Sequence, residues 1–356
     1  MAFDEVLGQE RACAQLADEL AAGRLAHAYL FVGPKGVGRG STALALFKAL
    51  NCEANSSGGG GPSLFGGPVL APAGPATPDA TPGAACGVCP SCRRIAQGQH
   101  EDLVILAPPH GQASAQIKVE QLREMIRTLS FPPFGGGWRL VLIREAGQMN
   151  ISSANVLLKT LEEPPPKNLL ALTVQDPAEI LPTLVSRCRR VNFTPLPDDL
   201  VAGELARRGI DPESARLRAA LAAGSLGRAL ELDEKRLRAD LEHLLEYIAR
   251  TAGPARDWAF AEEVVAPFKG GERLDRQGLA ELLDLLAYHY RDQAVIAAGR
   301  AQYGLLPPLS FGAPTPLEPA LNAFSLLRQT QSQILGNATP ELALVVLLDS
   351  LRRLGA

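Results

Sequence analysis

Two groups of residues have the types and spacing to do chemistry. The first is Gly33-Pro34-Lys35-Gly36-Val37-Gly38-Arg39-Gly40-Ser41, which follows an apolar run and precedes a helical pattern. Glycines so spaced let backbone N–H groups wrap a phosphate at a helix N-terminus. A hydrolysing loop of this kind needs Lys at 39, to reach the β- and γ-phosphates, and Ser or Thr at 40, to hold Mg²⁺. This chain has Arg39 and Gly40, with Ser41 one residue out of register. Arg39 keeps the charge, but a planar fork does not replace a compact ammonium, and Gly40 offers no hydroxyl. A second metal element fails independently. The apolar run 140–143 should be followed by Asp, acting on the metal, and Glu, but the sequence gives Arg144-Glu145. A guanidinium there reverses the local charge, and Glu145 is left without its metal. Two losses at one site predict no magnesium-dependent hydrolysis, because the metal must neutralise developing phosphate charge. Binding of ATP or ADP without turnover stays open, since Arg39 or Arg144 can pair with phosphate.

The second group is Cys86-Gly87-Val88-Cys89-Pro90-Ser91-Cys92 with Cys52 before it. Two residues between successive cysteines let three thiols turn around one ion, and Cys52 supplies the fourth from the end of a helix. Four thiolates make a closed tetrahedral zinc site, structural because no position is left open. The competing reading is a chance cluster of free thiols. Cys13 and Cys188 stand alone and read as core residues.

These groups need elements to hold them. The 356 residues suffice for two or three domains. The first half alternates apolar runs with helical patterns, giving candidate strands at 29–32, 103–106, 140–143, 170–173 and 191–193. Near-continuous apolar runs suit parallel strands buried on both faces. After Pro195 the pattern is helical, with almost no β signal. A small helical unit spans 196–236, and a longer helical region, 237–356, ends in a helix with Thr339 as cap, Pro340 in the first turn and Arg352 and Arg353 at its end. Between Cys52 and Cys86, the 33 residues 53–85 include eight Gly and six Pro, which predicts a disordered insertion. A partner-binding loop around Leu64 and Phe65 is the alternative. There is no internal repeat.

Several stretches resemble the AAA+ clamp-loader subunits of bacterial DNA polymerase III. Phe3-Asp4-Glu5-Val6-Leu7-Gly8-Gln9-Glu10 and Arg24-Leu25-Ala26-His27-Ala28-Tyr29-Leu30-Phe31 resemble the opening of their ATPase module. The four-cysteine insert is similar to theirs, and Asn155-Val156-Leu157-Leu158-Lys159-Thr160-Leu161-Glu162-Glu163-Pro164-Pro165 is close to a shared helix. That stretch also reads simply as an amphipathic helix stopped by proline. Ser186-Arg187-Cys188 resembles the family's Ser-Arg-Cys motif, whose arginine reaches a neighbouring subunit's ATP. An ordinary surface or ion-paired arginine is the plainer reading of Arg187. Thr173 sits where the family's sensor 1 lies, and Arg228, in Gly224-Ser225-Leu226-Gly227-Arg228, resembles a sensor 2 arginine. Tyr290-Arg291-Asp292 and Gly336-Asn337-Ala338-Thr339-Pro340-Glu341 resemble the family's helical oligomerisation domain.

The resemblance implies an α/β plus all-α architecture: a RecA-like parallel-sheet domain at 1–195 with the zinc module, a helical lid at 196–236 and a helical collar at 237–356. A disabled phosphate loop beside an intact Ser-Arg-Cys is the combination found in delta-prime subunits. That implies a non-hydrolysing subunit lending Arg187 to a neighbour, in a pentameric ring with gamma or tau and delta subunits. Sliding clamp and primer-template DNA would be met through the complex. Two rivals remain, an active gamma-type motor and a zinc-dependent DNA-binding protein. Gly40 with Arg144 opposes the first. A net charge of −3 and 5% aromatic residues oppose the second. No secretory signal opens the chain, and its apolar run at 342–348 is too short to cross a bilayer, so the expected location is the cytoplasm.

Overall fold

The computed structural model describes residues 3–55, 84–109, 116–250, 253–270, 273–306 and 315–355. Most of the Gly/Pro-rich insertion, residues 56–83 and with it Leu64 and Phe65, lies outside the described residues. Two compact units emerge. One runs to Leu200 and includes Ser225–Gly227; the other holds Val201–Gly224 and the described residues from Arg228 onward.

The first unit is a five-stranded sheet, all parallel, built from β1 (Ala28–Val32), β2 (Leu103–Leu106), β3 (Arg139–Ile143), β4 (Asn168–Val174) and β5 (Arg189–Asn192) in the order β2-β3-β4-β1-β5. Every residue of β1, β3 and β4 is buried. Side chains alternate between faces along a strand, and two apolar clusters follow. Leu30, Val141, Ile143, Leu170 and Leu172 pack on one face, Tyr29, Phe31, Leu140, Leu142 and Ala171 on the other. Helices α1 (Glu10–Ala21), α2 (Arg39–Asn51) and α3 (Pro90–Ala96) contribute to the second cluster, α4 (Val119–Leu129), α5 (Ile151–Glu162) and α6 (Pro182–Val185) to the first. The expectation of strands buried on both faces holds for the three central ones only. Edge strand β2 is half-buried and edge strand β5 keeps only Val191 covered, since an edge has one neighbour. Phe193, read as the end of the last strand, lies just past it and buries its ring 5.3 Å from that of Phe31.

One buried ion pair fixes the approach to β3. Arg139 donates to Asp102 Oδ1 through Nε at 3.1 Å and lies within 3.0 Å of it through Nη2. Its remaining donors meet the carbonyls of Thr128, Phe131 and Pro132 at 2.8 to 3.1 Å. The same carboxylate oxygen accepts from the Phe134 backbone at 2.9 Å. Arg139 thus ties the end of α4 and the following Pro-Pro turn to the start of β3.

The second unit is helical: α7 (Asp198–Arg207), α8 (Pro212–Leu221), α9 (Leu226–Glu231), α10 (Glu234–Ala249), α11 (Pro254–Val265), α12 (Arg276–Ala297), α13 (Leu317–Leu335) and α14 (Pro340–Arg353), of which α7 and α9 begin in residues of the first. One core joins Leu217 and Leu221 of α8 to Leu283, Leu286, Leu327 and Leu347, so segments read as lid and collar share buried surface. The little β signal after Pro195 amounts to a two-residue pairing of β6 (Lys269–Gly270) with β7 (Arg273–Leu274). Thr339 stands at the N-cap of α14 as expected, but its hydroxyl makes no capping bond; its carbonyl accepts from Ala343 at 3.0 Å instead, as helix geometry alone provides. Arg352 does more than close the helix. It grips Asp257 of α11 with both arms at 2.7 Å, and Tyr247 donates to the same carboxylate at 3.0 Å. Among the described residues no helix is long and apolar enough to cross a membrane.

Two outcomes follow from these pairs. Asp102→Ala strands a buried guanidinium, a change that typically costs 3–5 kcal/mol. Among the described residues Asp102 Oδ2 has no partner of its own, so a loss of about 3 kcal/mol is expected, read by Trp138 fluorescence during urea unfolding in a Trp258→Phe background. For Asp257, hydrogen bonding from Arg352 outweighs burial and holds its pKa below the usual carboxylate value. A depressed carboxylate stabilises the fold fully above the unfolded value of about 3.9 and ceases to do so as pH falls through its folded value. Stability of the helical unit should therefore fall below about pH 4, and Asp257→Asn should flatten that dependence when melting is followed by circular dichroism.

Candidate functional site

The chain leaves β1 and enters α2 through the glycine loop. In a parallel sheet, ligands collect beyond the C-terminal strand ends where strand order reverses, and β1 lies between β4 and β5 at that point. Gly38 is the N-cap of α2 at φ 108° and Gly36 has φ 78°, values that glycine adopts without a Cβ penalty. Gly36 has a further reason to lack one. A Cβ there would collide with Ser225 Oγ, and the Gly227 amide donates to the Gly36 carbonyl at 2.9 Å. The segment Ser225–Gly227 therefore lies directly on the loop. Buried Gln9 pins the other side, donating to the carbonyls of Val37 at 3.2 Å and Thr194 at 2.8 Å and accepting from the Thr194 amide at 3.1 Å.

Gly33, Gly36, Gly38, Arg39, Arg144, Glu145 and Thr173 come together here, at the ends of β1, β3 and β4. Arg39 is only 4% exposed and donates through Nη2 to Glu145 Oε1 at 2.9 Å. Burial lowers its pKa, with Glu145 and Glu179 opposing, yet a guanidinium stays charged at any ordinary pH. Glu145, which the sequence leaves without its metal, is thus the counter-ion of Arg39. Its backbone is left-handed at φ 50°, a conformation that costs a non-glycine residue free energy, and its amide donates to the Thr173 hydroxyl at 3.0 Å. Arg144 is exposed and lies over Gly40: a Cβ at 40 would meet its Nε at 3.6 Å. A cation thus sits beside the position where a magnesium ligand belongs.

Two predicted residues are engaged elsewhere. Arg228 belongs to the second unit, where it pairs with Glu281 at 3.4 Å and Asp284 at 4.0 Å. Arg187, just beyond the short α6, donates to Glu162 at 2.6 Å and to the Thr183 carbonyl at 3.0 Å, with its side chain still 35% exposed. The sequence reading missed Glu162 as a partner although it quoted the stretch that contains it, because residues 25 apart pair only once α5 and α6 are placed side by side. Burial pushes the neighbouring Cys188 thiol up to about 12, which makes it an inert packing residue.

The four cysteines also meet. Cys52 caps the end of α2, Cys89 caps α3, and all four sulfurs lie within 4.8 Å of one another. A zinc tetrahedron with bonds of 2.3 Å needs sulfurs about 3.8 Å apart, so the cluster fits with a small contraction. Amides point at the sulfurs as thiolates require: Cys86 N to Cys52 at 3.2 Å, Cys89 N to Cys86 at 3.3 Å and Cys92 N to Cys89 at 3.4 Å. Burial raises the Cys86 thiol, but the Val88 and Cys89 amides outweigh it and bring it down to about 7. The residues present could hold a metal such as zinc.

The chain is similar to several known proteins. The family described as DNA polymerase III, delta subunit, matches residues 8–61 and 76–197. The chain is 34% identical over 239 residues to DNA polymerase III subunit tau of Escherichia coli strain K12, covering 65% of this chain and 32% of that protein. It thus spans about a third of the length of the tau relatives it matches. It is 30% identical over 295 residues to DNA polymerase III subunit delta' of Bacillus subtilis strain 168, covering 82% of this chain and 78% of that one. Among solved structures it is similar to a DNA polymerase III gamma subunit-related protein from Thermotoga maritima, with 16% identity, coverage of 96% and 100%, and a TM-score of 0.38. A parallel sheet carrying a phosphate loop, a four-cysteine insert and a relative matched over most of both chains lead to one conclusion: the chain belongs to the clamp-loader subunit family of DNA polymerase III.

Proposed function

We propose that this chain is the delta-prime subunit of its clamp loader: it hydrolyses no ATP itself and lends Arg187 to the ATP of a neighbouring subunit. The observation that carries this is the buried Arg39–Glu145 pair. It holds Glu145, a carboxylate that could polarise water, against Arg39, a cation placed to reach phosphate. Gly40 brings no oxygen and Arg144 brings a positive charge, so magnesium would lack two ligands. Arg187, by contrast, is partly exposed and keeps most of its donors. An arginine supplied from outside stabilises charge spreading over the transferring phosphoryl group, and its fork can span two phosphate oxygens. The chain would act in a cytoplasmic ring, proposed as a pentamer with gamma or tau and delta subunits. The neighbours' cycles would open the sliding clamp and place it on primer-template DNA. Bound ATP or ADP is not required for this role.

A second reading, a hydrolysing subunit of the tau or gamma kind, is favoured by the 34% identity to tau. Gly40 and Arg144 weigh against it. Thr173 and Arg228, the sensor positions, engage Glu145 and the acidic side chains of α12, which supports roles in packing rather than in turnover.

The test is a reconstitution. The isolated chain should show no magnesium-dependent hydrolysis above background. Added to gamma or tau and delta subunits, it should raise DNA- and clamp-stimulated ATPase, and Arg187→Ala should remove that gain while leaving assembly intact. Arginine fingers are worth roughly 10³ to 10⁵ in rate at one site, diluted here by the ring's other sites. Hydrolysis by the isolated chain, or full activity of the Arg187→Ala complex, would contradict the proposal.

The cysteine cluster is proposed as a structural zinc site, distant in role from turnover. One zinc should copurify per chain by metal analysis. Cys89→Ser should release it and lower the melting temperature, since structural zinc contributes directly to folding.

A further inference from the structure

We infer that Glu162 is a positioning residue for Arg187, holding its guanidinium ready for an anionic group on a neighbouring subunit; this rests on the proposal that Arg187 acts there. An arginine at the end of a four-residue helix has many rotamers, and ordering them at the moment of reaction costs free energy. Two acceptors restrict them in this chain. The Thr183 carbonyl lies on the turn that carries Arg187 itself, so alone it leaves the side chain a hinge. Glu162 comes from a different element and removes that freedom with a 2.6 Å contact.

Glu162 is well placed to hold something. It is the last residue of α5, whose preceding Leu161 is buried and offers its carbonyl to His27 Nε2 at 3.0 Å. Asn150 caps the other end of the helix, its side chain accepting from Ser153 at 2.7 Å. The run Pro164-Pro165-Pro166 then forbids the helix to continue. Among the described residues, two of the guanidinium's five N–H donors are taken, by Thr183 and Glu162, which leaves three for a phosphate. The carboxylate also subtracts from the attraction between Arg187 and an anion. Holding and charge therefore pull in opposite directions, and a neutral isostere separates them.

The experiment compares wild type, Glu162→Ala, Glu162→Gln, Arg187→Ala and the Glu162→Ala/Arg187→Ala double variant in the loader reconstituted with gamma or tau and delta subunits. Circular dichroism and gel filtration check folding and assembly; Glu162 is half exposed, so both should be unchanged. Exposed ion pairs are weak, and the expected loss for Glu162→Ala is about two- to fivefold in kcat, with KM for ATP unchanged. Glu162→Gln, whose amide oxygen still accepts, should retain most activity, and the double variant should match Arg187→Ala. If Glu162→Ala is fully active while Arg187→Ala is slow, Arg187 still acts in trans but Glu162 does not position it. An equal loss from Glu162→Ala in the Arg187→Ala background would make Glu162 a general structural residue and overturn the inference. So would a Glu162→Gln complex faster than wild type, the mark of a charge brake. No effect from Arg187→Ala removes both this inference and the finger on which it rests.

Discussion

A parallel sheet must be buried on both faces, and that constraint determines where this chain can do chemistry. Its three central strands carry no exposed residue, so functional groups can occupy only the strand ends and the loops beyond them. The end of β1 is the reversal point of strand order, and the glycine loop leaves from it. The packing of Gln9 on one side and Ser225–Gly227 on the other holds the loop in a phosphate-binding shape. The shape is therefore retained by interactions that do not depend on a phosphate, and its glycines have a structural reason to exist apart from any nucleotide.

What occupies the site instead is an internal ion pair. A carboxylate and a guanidinium at 2.9 Å, with the arginine 4% exposed, interact through a medium far less polarisable than water. Removing Glu145 would leave the buried charge of Arg39 without its partner, a costly state. Arg39 and Glu145 are thus physically one unit, each making the other tolerable in place. Arg144 follows the same logic from the opposite side, being exposed to solvent where no counter-ion is needed.

The sequence made much of this legible, and the reasons are specific. All five strands of the parallel sheet are legible within a few residues, the central ones because 29–32, 140–143 and 170–173 are nearly unbroken apolar runs that no solvent-facing segment would carry. The cysteine cluster was legible because its spacing is itself a statement of geometry. The pairing of Arg39 with Glu145 was not, since 106 residues separate them and only the parallel register of β1, β4 and β3 brings their ends together. Asp102 and Arg139 escaped notice for a related reason: a charged residue bordering a strand looks like a solvated end until its partners appear. The edge strands were over-read as buried because apolar content alone does not reveal how many neighbours a strand has.

Arg39 and Arg187 are the same side chain with the same kind of partner, and their difference is burial. Arg39 is enclosed, so exchange of Glu145 for an incoming phosphate would first require a buried charge to stand alone. Arg187 is 35% exposed, so water can hydrate either charge while partners change, and the barrier to exchange is low. An enclosed pair suits a permanent structural joint, and an open pair suits a group that meets a charge arriving from outside. On this view the chain has divided arginine chemistry between two places, one sealed in beside the glycine loop and one left accessible on the surface. On the proposed reading, that division would let a subunit without turnover of its own influence turnover elsewhere.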